Sequence, residues 1–530
     1  MTDPASAIQT GKTALGIEFG STRVKAVLIA EDFSPLAEGI FDWENRFEHG
    51  VWTYRESDIL AALRCCFSAL RDQVQNTFGV PLKTVGCIGV SGMMHGYVAL
   101  DKDGRLLVPF RTWRNTNTRQ SAARLTAALD FHIPERWTAA HLYHAVRTGE
   151  PHVKDLAHLT TLAGYVHLLL TGEKAVGVGE ASGIFPIDSA AMDYDAGRLS
   201  TFDRLLGDAG MPLHAKDLFP KVLPAGADAG ALTEAGAALL DDSGTLQPGI
   251  PFCPPEGDAG TGMVATNSVR PRTGNISAGT SVFAMLVLER ALSKAYPEID
   301  LVTTPAGDPV AMVHCNNCTA DIDAWARVFL DFAERGGASL TRGQCFDLLY
   351  ETALQGDADC GGLLSFNYLS GEAITNIQNG VPLFLRSRDS ALTFPNFARN
   401  LLFSAVCTLR LGMDILTAEG VEADVLLGHG GFFKSGAGQR VMAAALKQPV
   451  TVMRTANVGG PWGMAILAAY CLWNDRKLSL ADFLSQAVFA GCESVTAAPD
   501  AADTAGFDAY LSAYKNALPL EQTADRLLFS

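Results

Sequence analysis

The stretch ALGIEFGSTRVKAVLIA, residues 14–30, decides the fold. Two apolar runs flank the small-residue turn Gly20-Ser21-Thr22, a pattern typical of a β-hairpin. A segment with helical periodicity, Glu56–Phe78, and a short buried strand at residues 84–90 follow. The order hairpin, helix, strand predicts a mixed α/β layer architecture.

The same pattern returns about halfway along the chain. Residues 274–277 and 282–288 are apolar runs on either side of Gly279-Thr280-Ser281. An internal repeat of this kind predicts two related domains that face each other. We expect a disordered lead-in at residues 1–13, an N-terminal domain at 14–265, and a C-terminal domain at 266–530 with a peripheral tail.

The composition of the chain limits the classes of protein to which it can belong. The chain has 530 residues, is 48% hydrophobic and carries a net charge of -16. Such acidity disfavours nucleic acid and anionic membrane surfaces as partners. No apolar run approaches the roughly 20 residues of a membrane span, the N-terminus lacks the pattern of a secretion signal, and the 11 scattered cysteines read as reduced thiols. We therefore expect a soluble cytoplasmic protein.

Both hydroxyl-bearing turns are candidate phosphate sites, because small residues let backbone N–H groups approach a phosphate closely. Ordinary hairpins would carry the same residues, and it is the pair that favours the functional interpretation. The candidate phosphate residues are Gly20, Ser21, Thr22, Lys25, Gly279, Thr280 and Ser281.

Two carboxylates are candidates for the chemistry. Asp258 lies among small residues, where it could accept a proton from a hydroxyl, or serve only to begin a helix. Glu18 ends the first strand, where a hydrated Mg²⁺ could lie. A glycine cluster, Gly430 and Gly431, follows a strand and would let a flat ring such as adenine lie against the backbone.

Two further segments favour a sugar as ligand. Met94 and His95 follow a strand end, where the imidazole could hydrogen-bond a hydroxyl, although a lone His is more often structural. Trp113 and Asn115 combine an aromatic face with polar donors, which suits a sugar ring or chain.

Taken in order along the chain, these blocks resemble the FGGY carbohydrate kinase family, within the actin-like ATPase superfamily. The resemblance runs from about Gly16 to Tyr470. It includes the first phosphate block, a Met-His-Gly block of the xylulokinase type, the loop around Asp258 and the second phosphate block. The last glycine block is closer to ribulokinase-like members. The sequence departs from the usual pattern at several places. Glu18 replaces an Asp, Ala259 replaces an Asn, Phe403 stands where an acidic residue is common, and the segment His141–His158 does not fit the family's signature.

The resemblance implies a fold of two duplicated ribonuclease-H-like domains with a cleft between them. It also implies ATP-dependent phosphorylation of a small sugar, in particular a ketopentose such as xylulose or ribulose. Asp258 would be the general base, Glu18 and Asp258 would flank Mg²⁺, and Gly430 and Gly431 would contact adenosine. Met94, His95, Trp113 and Asn115 would face the sugar. The expected partners are the sugar and ATP, and a homodimer stays open.

Two alternatives remain at this point. An actin- or chaperone-like ATPase would share both phosphate turns, and a degenerate family member could bind sugar as a sensor. The sequence does not identify the sugar, the phosphorylated hydroxyl or the oligomeric state.

Overall fold

The computed structural model of the protein describes residues 3–453, 459–473 and 477–529. In the first half of the chain, short strands alternate with helices. In chain order these elements are α1 (Pro4–Gln9), β1 (Ala14–Phe19), β2 (Arg23–Ile29), β3 (Pro35–Asp42), β4 (Arg46–Glu48), β5 (Val51–Thr53), α2 (Glu56–Phe78), β6 (Cys87–Gly92), β7 (Val98–Leu100), α3 (Arg119–Leu129), α4 (Thr138–Thr148), β8 (His158–Thr160), α5 (Leu162–Thr171), β9 (Ala175–Gly177), α6 (Val178–Ala181), β10 (Ile187–Asp188), β11 (Asp193–Tyr194), α7 (Ala196–Asp208), α8 (Ala215–Leu218), β12 (Lys221–Leu223), α9 (Glu234–Leu240), β13 (Glu256–Gly257) and α10 (Asp258–Ala265).

The second half has longer strands and longer helices. In chain order they are β14 (Thr273–Ala278), β15 (Val282–Val287), β16 (Ile299–Thr303), β17 (Pro309–Cys315), α11 (Ala320–Arg335), α12 (Arg342–Ala353), β18 (Leu364–Phe366), β19 (Leu383–Leu385), α13 (Phe394–Ala418), β20 (Val425–His429), α14 (Gly436–Leu446), β21 (Val450–Met453), α15 (Gly460–Trp473), α16 (Leu480–Phe483), β22 (Ser494–Ala497) and α17 (Ala501–Phe529).

Two main sheets share one arrangement of strands. The first has the order β3-β2-β1-β6-β13, in which β1–β3 are antiparallel and β6 and β13 run parallel to β1. The second contains the order β17-β15-β14-β20-β21, with the same antiparallel and parallel pairings, and adds β16 and β22 at its edges. The two predicted hairpins, β1–β2 and β14–β15, therefore occupy equivalent positions, as expected for a duplicated α/β fold.

Helix α15 lies against the first sheet, although it comes from the end of the chain. A Cβ built on Gly16 of β1 would lie 2.2 Å from the carbonyl oxygen of Pro461 and 2.4 Å from the nitrogen of Ala465. Helix α10 packs beside it, since a Cβ on Gly463 would lie 2.1 Å from the carbonyl oxygen of Thr261. Only glycine at residues 16 and 463 permits these approaches. Residues beyond 266 thus complete the layer over the first sheet.

The N-terminal segment is not the disordered lead-in expected for residues 1–13. Residues 4–9 form α1, which begins with a proline and is capped by Asp3, whose Oδ2 accepts a hydrogen bond from the Ser6 N–H at 3.1 Å. Ile8 is fully buried against the core of the first sheet. The cap and this one apolar anchor explain why the segment is ordered.

The C-terminal tail is not peripheral as expected. Helix α17 packs its aromatic face into the core of the second sheet, where Phe507, Tyr510 and Tyr514 are buried. The hydroxyl of Tyr514 donates to that of Tyr368 at 2.6 Å, and a Cβ on Gly506 would lie 2.0 Å from a backbone oxygen. Because the tail is rich in Ala and Asp, its composition did not indicate the helical spacing of these aromatic residues.

The expectation that no apolar segment is long enough for a membrane span is wrong, because helix α13 is long and apolar enough. Its 25 residues suffice in length and composition, but 67% of its most apolar window is buried inside the protein. It lies in the core of the second sheet, where Phe403 and Val406 are buried.

Candidate active site

The predicted catalytic residues lie at one edge of the first sheet, where its parallel strands end. Glu18 near the end of β1 is in register with Ser91 of β6, and Glu256 of β13 is in register with the same residue from the other side. Asp258 directly follows β13. Ligands of α/β proteins bind at this carboxyl edge of the sheet, so the edge is the candidate site.

Asp258 is the first residue of α10, and its side chain is exposed. The backbone N–H of Met94 donates to Oδ1 at 3.2 Å, and that of Ala259 donates to the same oxygen at 2.9 Å. Neither bond uses Oδ2. The dense protein surroundings raise the pKa of Asp258, against the lowering effect of the backbone hydrogen bonds. A carboxylate with a raised pKa, held in one orientation, is well suited to take a proton.

The pKa of Glu18 is affected by the charge of Asp258. Burial raises the pKa of Glu18 to about 8; the charge of Asp258 acts in the same direction, and Lys25, its cross-strand partner, acts in the opposite one. The hydroxyl of Thr261 donates to Oε2 at 3.4 Å. On the other side lies Gly460, the first residue of α15, where a Cβ would clash with this carboxylate. A carboxylate that is destabilised by the charge of another is stabilised by a cation.

The donor set fits a hydrated Mg²⁺. Glu18 and Asp258 supply hard carboxylate oxygens, and Thr261 adds a hydroxyl beside them. Within the described parts of the chain, no group of three or more His, Cys, Asp and Glu side chains converges. Two carboxylates with the remaining ligands from water and phosphate are the usual setting for Mg²⁺ bound together with a nucleotide.

The carbonyl oxygens of the first hydroxyl turn accept hydrogen bonds from two aromatic residues. Trp43 donates from its ring nitrogen to the Gly20 carbonyl at 2.8 Å and from its backbone N–H to the Thr22 carbonyl at 3.1 Å. Tyr54 donates to the Ser21 carbonyl at 2.5 Å. Gly20 N–H is itself bonded to the Arg23 carbonyl at 3.0 Å. The backbone donors that the turn can offer a phosphate are therefore the N–H groups of Ser21 and Thr22.

The second turn is held in the same manner. Thr319 donates from its backbone N–H at 3.0 Å and from its hydroxyl at 2.7 Å to the Gly279 carbonyl, and Cys318 N–H donates at 3.0 Å to the Thr280 carbonyl. Gly279 N–H closes the turn on the Ser281 carbonyl at 2.9 Å. Apart from the adjacent residues of the chain, no heavy atom of the described residues lies within 4 Å of a Cβ built on Gly279, so the turn borders open space.

The predicted adenosine-side glycines adjoin this second turn. Gly430 has φ 98°, and a Cβ on it would lie 2.5 Å from the carbonyl oxygen of Ala278. Both the backbone conformation and the contact require glycine there. Gly431 next to it has open space where a side chain would begin. The structure therefore places Gly430 and Gly431 beside the second turn.

Met94 and His95 are both buried, and Met94 is the one whose backbone contacts Asp258. A Cβ on Gly183 would lie 2.7 Å from His95 Nδ1, which has no hydrogen-bond partner among the described residues. Burial lowers the pKa of His95 to about 3, and the charge of Arg136 acts in the same direction. The imidazole is therefore neutral at physiological pH. Its backbone has φ 74°, a strained conformation of the kind found at binding sites.

The segment around Trp113 divides into two roles. Trp113 is 37% exposed, and its ring nitrogen donates to the Ser21 hydroxyl at 3.3 Å, so the indole lies beside the first turn. Asn115 is buried and its amide is already engaged. Its Oδ1 accepts from Trp52 N–H at 2.8 Å, while its Nδ2 donates to the carbonyls of Trp52 and Thr112, both at 2.9 Å. Asn115 thus anchors this loop and has little capacity left for a sugar.

Two buried carboxyl groups near Asp258 were missed by the sequence analysis. Glu256 accepts from Glu180 N–H at 2.8 Å and from Gly179 N–H at 3.3 Å, and burial raises its pKa to about 8. Glu180 has no exposed area and no hydrogen-bond partner for either oxygen among the described residues, and burial raises its pKa. A Cβ on Gly257 would lie 2.6 Å from Glu180. The position of Glu256, two residues before Asp258, was the available signal.

The chain matches two family descriptions, which together cover most of its length. Residues 13–265 match the N-terminal domain of the FGGY family of carbohydrate kinases, and residues 274–472 match the C-terminal domain of that family.

Individual relatives agree with these matches. A xylulose kinase of Escherichia coli (strain K12) is 26% identical over 488 residues, covering 88% of this chain and 91% of the relative. Two solved structures share the fold at a TM-score of 0.77, each over 96% of this chain and 99% of its own. They are a xylulose kinase from Rhodospirillum rubrum, 20% identical, and a gluconate kinase from Lactobacillus acidophilus, 16% identical. At such identities the two structures establish the fold alone.

Proposed function

Because this chain belongs to the FGGY family of carbohydrate kinases, we propose that it transfers the γ-phosphoryl group of ATP to a hydroxyl of a ketopentose, xylulose or ribulose. The observation that carries the proposal is the fixed carboxylate of Asp258 beside Glu18 at the carboxyl edge of the first sheet. Sugar kinase activity follows from the family.

Asp258 acts as the general base. The two hydrogen bonds to Oδ1 hold the carboxylate in place, and Oδ2 accepts the proton of the sugar hydroxyl as its oxygen attacks phosphorus. A positioned base of this kind contributes roughly 10²–10⁴-fold to the rate. The raised pKa of Asp258 makes it a stronger proton acceptor than an ordinary aspartate.

Phosphate is held by the two hydroxyl turns. Their carbonyl oxygens are bonded to Trp43, Tyr54, Cys318 and Thr319, so their remaining donors are available to the phosphate oxygens. Glu18 and Asp258 would hold Mg²⁺ through water, and the ion would supply positive charge against the phosphates. Gly430 and Gly431 lie against the adenosine.

The sugar occupies the space bounded by Met94, His95, Trp113 and Asp258. A neutral His95 can donate to one hydroxyl or accept from another. The ketopentose assignment is supported by the relative from E. coli, which is a xylulose kinase. Ala259 follows Asp258 and offers no polar side chain, so one sugar contact of that kind is missing.

The wider context belongs to the same proposal. We propose a cytoplasmic enzyme whose chain divides at residues 265 and 266 into a sugar-binding and an ATP-binding part. Helix α15 belongs to the second part of the chain but packs on the first. Its first residue lies beside Glu18, and the rest of the helix covers the first sheet.

The experiment is an ADP-release assay with a panel of ketoses, aldoses, polyols and aldonates in the presence of Mg²⁺ and ATP. We expect turnover with a ketopentose at least tenfold above any other substrate. A preference for gluconate, glycerol or a hexose would overturn the ketopentose assignment and leave the kinase intact. Sugar binding without any turnover would instead indicate a sensor.

A further inference from the structure

Three cysteines from distant parts of the chain meet between the first sheet and α15. Ile88 forms a parallel bridge with Phe252, and Cys253 N–H donates to the Ile88 carbonyl at 3.0 Å. Since side chains alternate along a strand, Cys87 and Cys253 point to the same face of the sheet, opposite to Ile88 and Phe252. Both thiols are buried there.

Helix α15 brings the third thiol to this face. A Cβ on Gly89 would lie 2.5 Å from Met464 Cε and 2.8 Å from Cys253 Sγ, so the missing side chain at residue 89 makes room for both. Met464 and Cys471 are seven residues apart in α15, which places them on one face of the helix. Cys471 therefore reaches the same layer two turns along.

Cys471 packs against the cluster of buried residues that contains Cys87 and Cys253. Cys471 Sγ donates to the Ala227 carbonyl at 3.7 Å, and Cys87 Sγ donates to the Ile88 carbonyl at 3.8 Å. Interaction with the thiols of Cys253 and Cys87 lowers the pKa of Cys471, that with Cys253 most strongly. Cys471 is partly exposed while its neighbours are buried, and all three are free thiols. Thiolate character combined with access is what makes a cysteine reactive.

We propose that Cys471 is a site of oxidation by peroxide, and that it forms a disulfide with one of its two buried neighbours, Cys253 or Cys87. The Cys471 thiolate attacks the O–O bond of the peroxide, which breaks; sulfur is oxidised to sulfenic acid, and water is released after protonation. The neighbouring thiol then loses its proton and attacks this sulfur, the S–S bond forms, the S–O bond breaks, and a second water leaves. Two thiols and one hydrogen peroxide give one disulfide and two waters. The bond would tie α15 to the first sheet.

The test treats the reduced full-length protein, freed of reductant, with a small excess of hydrogen peroxide. We expect a loss of two thiols per chain, a cross-linked peptide that contains Cys471 by mass spectrometry without reduction, and recovery of both thiols with dithiothreitol. Cys471→Ser should abolish the cross-link. Cys492 is equally a partly exposed cysteine but lies outside this group of three, so Cys492→Ser should leave the cross-link intact.

If Cys471→Ser fails to fold, the peptide map of the peroxide-treated wild-type protein still tests the proposal. A map in which Cys471 remains a thiol, or becomes sulfinic acid without any cross-link, would overturn the proposal. A disulfide confined to other cysteines would do the same.

Discussion

Gly460 at the start of α15 lies directly against the carboxylate of Glu18. A Cβ on Gly460 would lie 1.7 Å from Oε2, far inside van der Waals contact. The two residues are separated by most of the chain, so the shape of this corner of the site depends on how α15 docks on the first sheet. The longer carboxylate of Glu18, where family members usually have Asp, is accommodated by the absence of a side chain at residue 460.

We therefore expect Gly460→Ala to lower turnover at least tenfold, because the added methyl group must displace the Glu18 carboxylate. Alanine favours a helix over glycine by about 1 kcal/mol, so a loss of activity would not come from a weaker helix. Glu18→Asp shortens the side chain by one methylene, and the double variant should recover part of the activity. The measurement is kcat at saturating Mg²⁺ and ATP. Unchanged turnover in Gly460→Ala would show that the carboxylate can move without consequence.

Asp258→Asn should lower kcat by roughly 10²–10⁴-fold, since an amide cannot accept the hydroxyl proton. The amide oxygen can still accept the hydrogen bonds from Met94 and Ala259, so the loop should keep its conformation. Sugar affinity, measured by calorimetry, should be largely retained. An Asp258→Asn protein with near-full activity would rule out this carboxylate as the base.

Gly279→Val should weaken ATP binding because a branched side chain would fill the open space at the second turn. The matched control is Gly343→Val in α12, where a new Cβ also meets no atom within 4 Å. We expect at least a tenfold rise in the Kd for MgATP in the first variant and no change in the second. Equal ATP affinity in two folded variants would remove this turn from the nucleotide site.

Trp113→Ala should raise the KM for the sugar several-fold, since it removes an aromatic face that is 37% exposed at the site. Trp113→Phe keeps an aromatic ring and loses only the hydrogen bond to Ser21, so it should recover most of the sugar affinity. Initial rates at varied sugar and fixed ATP provide the measurement. If both variants raised only the KM for ATP, the indole would serve the phosphate turn instead.

Glu521 in α17 should make stability depend on pH. Burial raises the pKa of Glu521 to about 7, with Asp525 acting in the same direction, while its bond from Val381 N–H lowers it. In the unfolded chain the group ionises near pH 4.5, so its stabilising contribution is complete below that pH and is lost as the pH rises through 7. Glu521→Gln stays neutral, and we expect its thermal midpoint relative to wild type to be higher at pH 8 than at pH 5. The same difference at both values would contradict the shift.

Local patterns in the sequence were enough to predict the elements that carry the site. The strands β1 and β14, their hydroxyl turns and the helix Glu56–Phe78 follow from apolar periodicity over short windows. The sequence also pointed to two related halves, because each repeats the same run, turn and run.

Contacts between distant residues could not be predicted in this way. The amide of Asn115 is taken up by the backbone of Trp52, 63 positions earlier, and nothing in the local pattern reveals that loss of binding capacity. The same holds for Glu180, a buried acid against which the distant Gly257 packs. The aromatic face of α17 was overlooked because its polar residues dominate the composition of the tail.

The docking of α15 on the first sheet also has a consequence for synthesis on the ribosome. Strand β1 is made long before helix α15, which covers Gly16 and Gly89. During the interval one face of the nascent sheet lacks its permanent cover, and exposed sheet surface of this kind promotes aggregation. A chaperone would therefore be most valuable to this chain after β1 has emerged and before α15 has been made.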